Sequence, residues 1–345
     1  MATEKIDIDQ FMDLSKCHPV LDVRSPDEYR HAHMPRAINL PLFTDEQRKV
    51  IGTMYKLQGR EQAILEGLGF FGASMQNLVK ETLSLIPDKH HLLIHCWRGG
   101  MRSQGMAWLL DLCGYRVFIL KGGYKAYRNW VLNRFARTYD LRVLGGYTGS
   151  GKTALLENWG REGGNMINLE ELACHRGSAF GAMENKPQPS QEMFENLLAE
   201  ALWLAIDSGA VWLEDESQAI GHVVIPPLFW QQMRQARVLF LEIPFEARLD
   251  RLIREYGNLD KQLLMQSIGK VGKRLGGLTA REALQWLETG NTRECFRILL
   301  TYYDKYYGKS IQGRKSAGSM VETAAFERPG ATSAASVLGN MASGA

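Results

Sequence analysis

Two short stretches carry residue types and spacings suited to chemistry. The first is Cys96-Trp97-Arg98-Gly99-Gly100-Met101-Arg102-Ser103, a thiol at the head of a turn holding two glycines and two arginines. Backbone N–H groups of Trp97 through Arg102 can converge on the sulfur, and the N-terminus of a following helix reinforces them. Such a cradle lowers a thiol pKa from about 8.5 and makes a thiolate nucleophile. Gly99 and Gly100 let the backbone curl without Cβ clashes. Arg98 and Arg102 add charge for an anion. Cys17, Cys113, Cys174 and Cys295 have no comparable setting, and buried structural thiols describe them as well.

The second stretch is Gly146-Tyr147-Thr148-Gly149-Ser150-Gly151-Lys152-Thr153, which matches GxxxxGK[ST] in full. The backbone around Gly146, Gly149, Ser150 and Gly151 can turn its N–H groups toward phosphate oxygens. Lys152 supplies a point charge to the terminal phosphates, and the Thr153 hydroxyl can ligate Mg2+. The apolar run Val211-Trp212-Leu213 leads into Glu214, Asp215 and Glu216. Carboxylates beside a phosphate site suit Mg2+ or water positioning; a solvated acidic turn fits them equally. Between the two lies a loop with His175 and Arg176, where acceptor substrates bind in small phosphotransferases. His175 has no second metal ligand at a useful spacing.

Both loops need a strand that ends at them and a helix that leaves. His91 to His95 is a buried-type strand ahead of Cys96, and an apolar helix, Met106 to Leu112, follows. Leu141 to Leu144 is a strand ahead of the glycine loop, with a helix from Lys152. Further strands are expected at Val20–Val23, Ala37–Leu40, Arg116–Leu120, Met166–Leu169, Val211–Glu214 and Val238–Ile243. Thr44 to Leu85 and Ala247 to Tyr307 are helical in pattern. Strands alternating with helices predict two mostly parallel α/β domains, over residues 1–135 and 136–315, linked through Trp130 to Tyr139. The Ala-, Ser- and Gly-rich tail, 316–345, has no periodicity and is expected to be disordered.

Composition bounds the rest. The 345 residues are 45% hydrophobic and 23% charged, as in a soluble globular chain. No apolar run approaches the roughly 20 residues a membrane helix needs, and the first residues carry no export pattern. Five cysteines without CxxC pairs argue for a reducing, cytoplasmic setting. A net charge of +3 does not announce a nucleic-acid binder. From Gln231 to Lys315, however, basic residues exceed acidic ones by about seven, which a solvated helical face would also explain.

Residues 5–135 resemble a rhodanese domain. Leu21-Asp22-Val23-Arg24, Glu28-Tyr29, His33-Met34-Pro35, Ala37 to Pro41, the Cys96 loop and Leu120-Lys121-Gly122-Gly123 follow that family's order. The resemblance implies sulfur or selenium carried on Cys96, with Asp22 and Arg24 structural. Five residues separate Cys96 from Arg102, the spacing of Cdc25-type phosphatases, so phosphate-ester hydrolysis stays open. With the glycine loop, the segment from His175 to Gly181, the stretch from Leu213 to Gly221 and the segment from Glu46 to Lys56, residues 5–310 resemble the tRNA 2-selenouridine synthase family.

That resemblance implies a rhodanese-like parallel-sheet domain, then a P-loop NTPase-like α/β domain with a helical C-terminal part. It also implies action on tRNA bearing 2-thiouridine at the wobble position. Sulfur would be exchanged for selenium from selenophosphate, after S-geranylation by geranyl diphosphate. Both small molecules are substrates; no firmly bound cofactor is expected, with Mg2+ optional. An ATP-dependent phosphotransferase with a rhodanese regulator is the rival reading, and a tRNA-binding sulfur-carrier adaptor is a third.

Overall fold

The computed structural model describes residues 3–88, 91–175, 187–206, 208–257, 261–316, 318–330 and 333–339. The chain divides into two units: Met1–Arg134 with Glu195–Glu200, and Phe135–Phe194 with Ala201–Ala345. No helix among the described residues is long and apolar enough to cross a membrane.

The first unit is built on β1 (Glu4–Ile6), α1 (Ile8–Ser15), β2 (Val20–Asp22), α2 (Pro26–His31), β3 (Ile38–Asn39), α3 (Asp45–Leu57), α4 (Arg60–Leu85), β4 (His91–His95), α5 (Met101–Leu112), β5 (Arg116–Leu120) and α6 (Gly123–Arg134). Its five strands run in the order β1-β5-β4-β2-β3, all parallel. Leu92, Leu93 and Ile94 of β4 are fully buried, because helices cover both faces of a parallel sheet. The α3–α4 segment starts at a capping box, with the Thr44 N–H donating to Gln47 and the Gln47 N–H to the Thr44 hydroxyl. Helix α4 buries Ala63, Gly67, Phe71, Leu78 and Thr82, one face at helical spacing. That face joins the core of Leu92, Ile94, Met106 and Leu110.

The second unit holds β6 (Leu141–Gly146), α7 (Lys152–Arg161), β7 (Met166–Ile167), α8 (Leu169–Leu172), α9 (Gln191–Ala205, partly in the first unit), β8 (Val211–Glu214), β9 (Ala219–Ile220), β10 (Val223–Val224), α10 (Pro227–Gln235), β11 (Arg237–Glu242), α11 (Phe245–Tyr256), α12 (Lys261–Leu275), α13 (Gly277–Glu288), α14 (Thr292–Ser316) and β12 (Val321–Ala325). Its parallel sheet has the order β12-β11-β6-β8-β7, and β9 and β10 form a separate antiparallel pair. Leu249, Leu264, Ile268, Ala283, Phe296 and Leu300 make a helical core of their own.

Two expectations change. The second strand of this unit, β7, stops at Ile167: the Asn168 side chain accepts the Glu171 N–H at 3.0 Å and starts α8, so Leu169 is helical. The tail is not wholly disordered. Val321 to Ala325 pair with Val238 to Glu242 along the open edge of β11, and Leu338 is buried against Leu144, Leu156 and Trp212. Pairing with an existing edge supplies the order that the tail's own composition lacks.

Candidate functional site

Cys96 follows β4 at the carboxyl end of the first sheet, where α/β folds place ligands. Gly99 sits at φ +65°, and a Cβ there would meet the Leu120 carbonyl oxygen at 2.4 Å. The turn after β5 closes the loop from behind: the Tyr124 N–H donates to the Cys96 carbonyl at 2.8 Å, and the Lys125 N–H to that of Trp97 at 3.1 Å. Gly100 precedes the first residue of α5.

Cys96 is 3% exposed and packs in the hydrophobic core with Ile94, Met106 and Ile119, with one polar contact at its sulfur. Its Sγ lies 3.3 Å from the Ser103 hydroxyl. Burial pushes the thiol pKa up, but the Ser103 hydroxyl, the Arg102 charge and the N–H groups of Ser103 and Arg98 outweigh it, so the net direction is down. Arg102 is held by Glu28, with Nη1 donating to Oε2 at 2.6 Å, and Glu28 also accepts the Ser25 N–H. Arg98 is exposed. Beneath the loop, Asp22 and Arg24 form a buried ion pair at 2.5 Å, and the Arg24 guanidinium lies 3.7 Å from the centre of the Tyr124 ring. A cavity of about 240 Å3, lined in part by Met12, Cys17, Arg36 and Tyr127, includes no residue of the Cys96 loop.

Gly146 ends β6, the middle strand of the second sheet, and Lys152 opens α7 after Gly151 at φ 86°. Register brings Glu214 of β8 beside Leu144 of β6. The Thr153 hydroxyl therefore donates to Glu214 at 2.8 Å, and the Lys152 ammonium lies 3.3 Å from the same carboxylate. Lys152 also donates to the Gly146 carbonyl at 3.0 Å. Burial pulls the lysine pKa down, but the net direction is up, with the Glu214 and Glu216 charges beside it favouring the ammonium. The Ser150 hydroxyl is buried with no hydrogen-bond partner among the described residues. Arg248 of α11 braces the loop, donating to the Thr148 carbonyl at 3.1 Å while paired with Asp304 at 2.7 Å.

The three carboxylates after β8 have separate surroundings. Glu214 meets the loop. Asp215 pairs with the buried Arg314 at 2.5 Å, which makes it part of the scaffold. Glu216 is buried, and burial, then the Glu214 and Glu170 charges, push its pKa well above the usual carboxylate range. His175 is half-buried beyond α8, and Arg176 lies outside the described residues. Some of the basic residues after Gln231 are paired within the same stretch: Arg293 with Glu246 and Asp250, and Arg297 with Glu246. Ser103, Glu28, Arg248 and Tyr307 were not singled out from the sequence. Ser103 lies inside the cysteine loop and Glu28 in a pair that carries the rhodanese resemblance; Arg248 and Tyr307 reach their sites only through folding.

Comparison with known families bears on both units. Residues 7–129 match the rhodanese-like domain, and residues 139–326 match the tRNA 2-selenouridine synthase AAA domain. A tRNA 2-selenouridine synthase of Shewanella loihica (strain ATCC BAA-1088 / PV-4) is 36% identical, covering 88% of this chain and 89% of that protein. One from Shewanella halifaxensis (strain HAW-EB4) is 38% identical over 85% and 89%. Another, from Sulfurovum sp. (strain NBC37-1), is 32% identical over 86% and 90%. The chain matches those relatives along nearly their full length, and it belongs to the tRNA 2-selenouridine synthase family.

Proposed function

We propose that this chain is a tRNA-modifying transferase that exchanges the sulfur of wobble 2-thiouridine for selenium from selenophosphate, by way of an S-geranyl intermediate. The names of its relatives support action on tRNA. One observation carries the reading beyond them: a chain with a lowered thiol pKa at Cys96 also holds a charged Lys152 and a Thr153–Glu214 pair at a glycine loop.

The chemistry needs both. Sulfur at C2 leaves poorly as an anion. Its attack on C1 of geranyl diphosphate forms the S–C bond and expels diphosphate with the C–O electron pair, while the N3 proton passes to solvent. C2, now bearing an alkylated sulfur, is more electrophilic, so hydroselenide adds there and the C2–S bond breaks with its electron pair on sulfur, which takes a proton from solvent and departs as geranylthiol. Lys152 and the loop N–H groups steady the departing diphosphate. The Cys96 thiolate frees selenium by attacking the phosphorus of the selenophosphate that Arg98, Arg102 and the loop amides hold: the S–P bond forms, the P–Se bond breaks, hydroselenide leaves for C2, and water then cleaves the S–P bond to release phosphate. Thr153 and Glu214 offer two oxygens 2.8 Å apart, a donor set that suits Mg2+. Mg2+ bound there would supply charge neutralisation. Exposed basic residues of the C-terminal helices, Lys305 and Lys309 among them, hold tRNA phosphates. Acting on tRNA, the enzyme works in the cytoplasm.

Mass spectrometry of wobble nucleosides from cells with and without the gene tests the reading. Selenouridine and geranylthiouridine should both vanish with the gene. Cys96→Ala should abolish only the first, and Lys152→Ala both. Steady phosphate release from ATP with unchanged nucleosides would establish the phosphotransferase instead.

A further inference from the structure

Helix α14 brings to the phosphate loop a side chain that no motif announces. The Tyr307 ring is half-buried, with its centre 5.4 Å from the Lys152 ammonium. Glu216, Glu214 and Asp215 are its other charged neighbours. Lys152 pulls the phenol pKa down, but burial and the carboxylates win, so the ring stays a neutral phenol. Gripping phosphate calls for N–H groups, a lysine and a hydroxyl. A ring face adds nothing to that task, because its electron-rich surface repels anions. What such a face attracts is a cation.

The reaction proposed above makes one beside the lysine. As the C1–O bond of an allylic diphosphate breaks, its electron pair leaves on the diphosphate and positive charge develops at C1, shared with C3. A sulfur lone pair of the thiouridine then closes the S–C1 bond, and the N3 proton goes to water. The charge exists only along that step, so a group that stabilises it lowers the barrier without tightening ground-state binding.

We infer that the Tyr307 ring faces the reacting carbon of an allylic diphosphate and stabilises the positive charge that forms there, which makes Tyr307 a catalytic residue of prenyl transfer. The inference rests on the geranylation reading and deepens it. It also assigns specificity: a saturated diphosphate, unable to share the charge, is bound and not transferred.

The test replaces Tyr307 with phenylalanine carrying zero, one, two or three ring fluorines, which drain the ring face while keeping its shape. Single-turnover geranylation of 2-thiouridine tRNA should fall stepwise, by about thirty-fold across the series, and Tyr307→Leu should lose a similar factor. Affinity for inorganic diphosphate should stay within about twofold of wild type, because a ring acting only as a prop for Lys152 would lose both together. A flat series with an active wild type overturns the inference alone, as does a parallel loss of diphosphate affinity. A wild type that forms no S-geranyl nucleoside from geranyl diphosphate overturns the geranylation reading, and this inference with it.

Discussion

A Cβ placed on Gly123 would come within 2.3 Å of the Cys96 carbonyl oxygen and 2.5 Å of the Gly99 nitrogen, at a backbone φ of +60°. The turn after β5 and the cysteine loop are thus pressed together backbone to backbone, with no flexible side chain to give way. Gly123→Ala should cost about 2–4 kcal/mol and open the loop. Urea denaturation should show the loss of stability, and thiolate absorbance should show the Cys96 pKa rising toward that of an ordinary cysteine.

Ser103 is the nearest polar side chain to the thiol, 3.3 Å from Sγ. Removing its hydroxyl in Ser103→Ala should raise the Cys96 pKa, because burial then meets less opposition. Absorbance titration of the variant against wild type, with Cys96→Ser as blank, reads the shift. An unchanged midpoint would assign the effect to Arg102 and the backbone.

Asp22 and Arg24 are buried together, and Arg24 also donates to the Ala32 carbonyl at 2.8 Å. Arg24→Ala leaves the carboxylate without its partner and should cost about 3–5 kcal/mol. Burial pushes the Asp22 carboxyl up, but His95 and Arg24 more than reverse it, so its folded pKa lies below the ordinary 3.8. The pair's contribution is therefore present above pH 3.8 and lost as pH falls through the folded value. His95 adds an earlier step. Burial holds its pKa below 6.5, so beneath that pH the unfolded chain takes up a proton that the folded one refuses. Urea midpoints should already begin to fall as the pH drops below about 6.5.

Glu214 is the shared partner of Lys152 and Thr153. Glu214→Ala should weaken diphosphate binding about tenfold or more in the presence of Mg2+ and leave much less of any Mg2+ dependence. Calorimetry with inorganic diphosphate, with and without the cation, measures both effects. Asp215→Asn should act through stability instead, because Arg314 is its partner.

Leu338, in the tail, is fully buried in a cluster with Leu144, Leu156 and Trp212. Leu338→Ala should cost about 2–4 kcal/mol, and truncation after Ser319 should cost more by exposing the β11 edge to aggregation. Thermal unfolding and light scattering distinguish a folded tail from a dispensable one.

Both reactive loops were legible in the sequence because each is continuous: Cys96 to Ser103 and Gly146 to Thr153 carry their own nucleophile or cation, glycines and helix start. The parallel α/β plan followed from strands as apolar as Leu92-Leu93-Ile94 and Val143-Leu144, which only a sheet covered on both faces buries. Strand β1, only three residues long, left no readable period.

Sequence alone determined which backbone turns could hold an anion and which side chains were on them, since those properties are local. Tertiary structure decided which distant residues completed each turn. Glu28 meets Arg102, Arg248 props Thr148, Tyr307 reaches Lys152, and Asp215 goes to Arg314 while Glu214 goes to the loop. The tail became a strand for the same reason: its conformation is imposed by the open edge of β11, and neither that edge nor those pairings exist until the helices have packed.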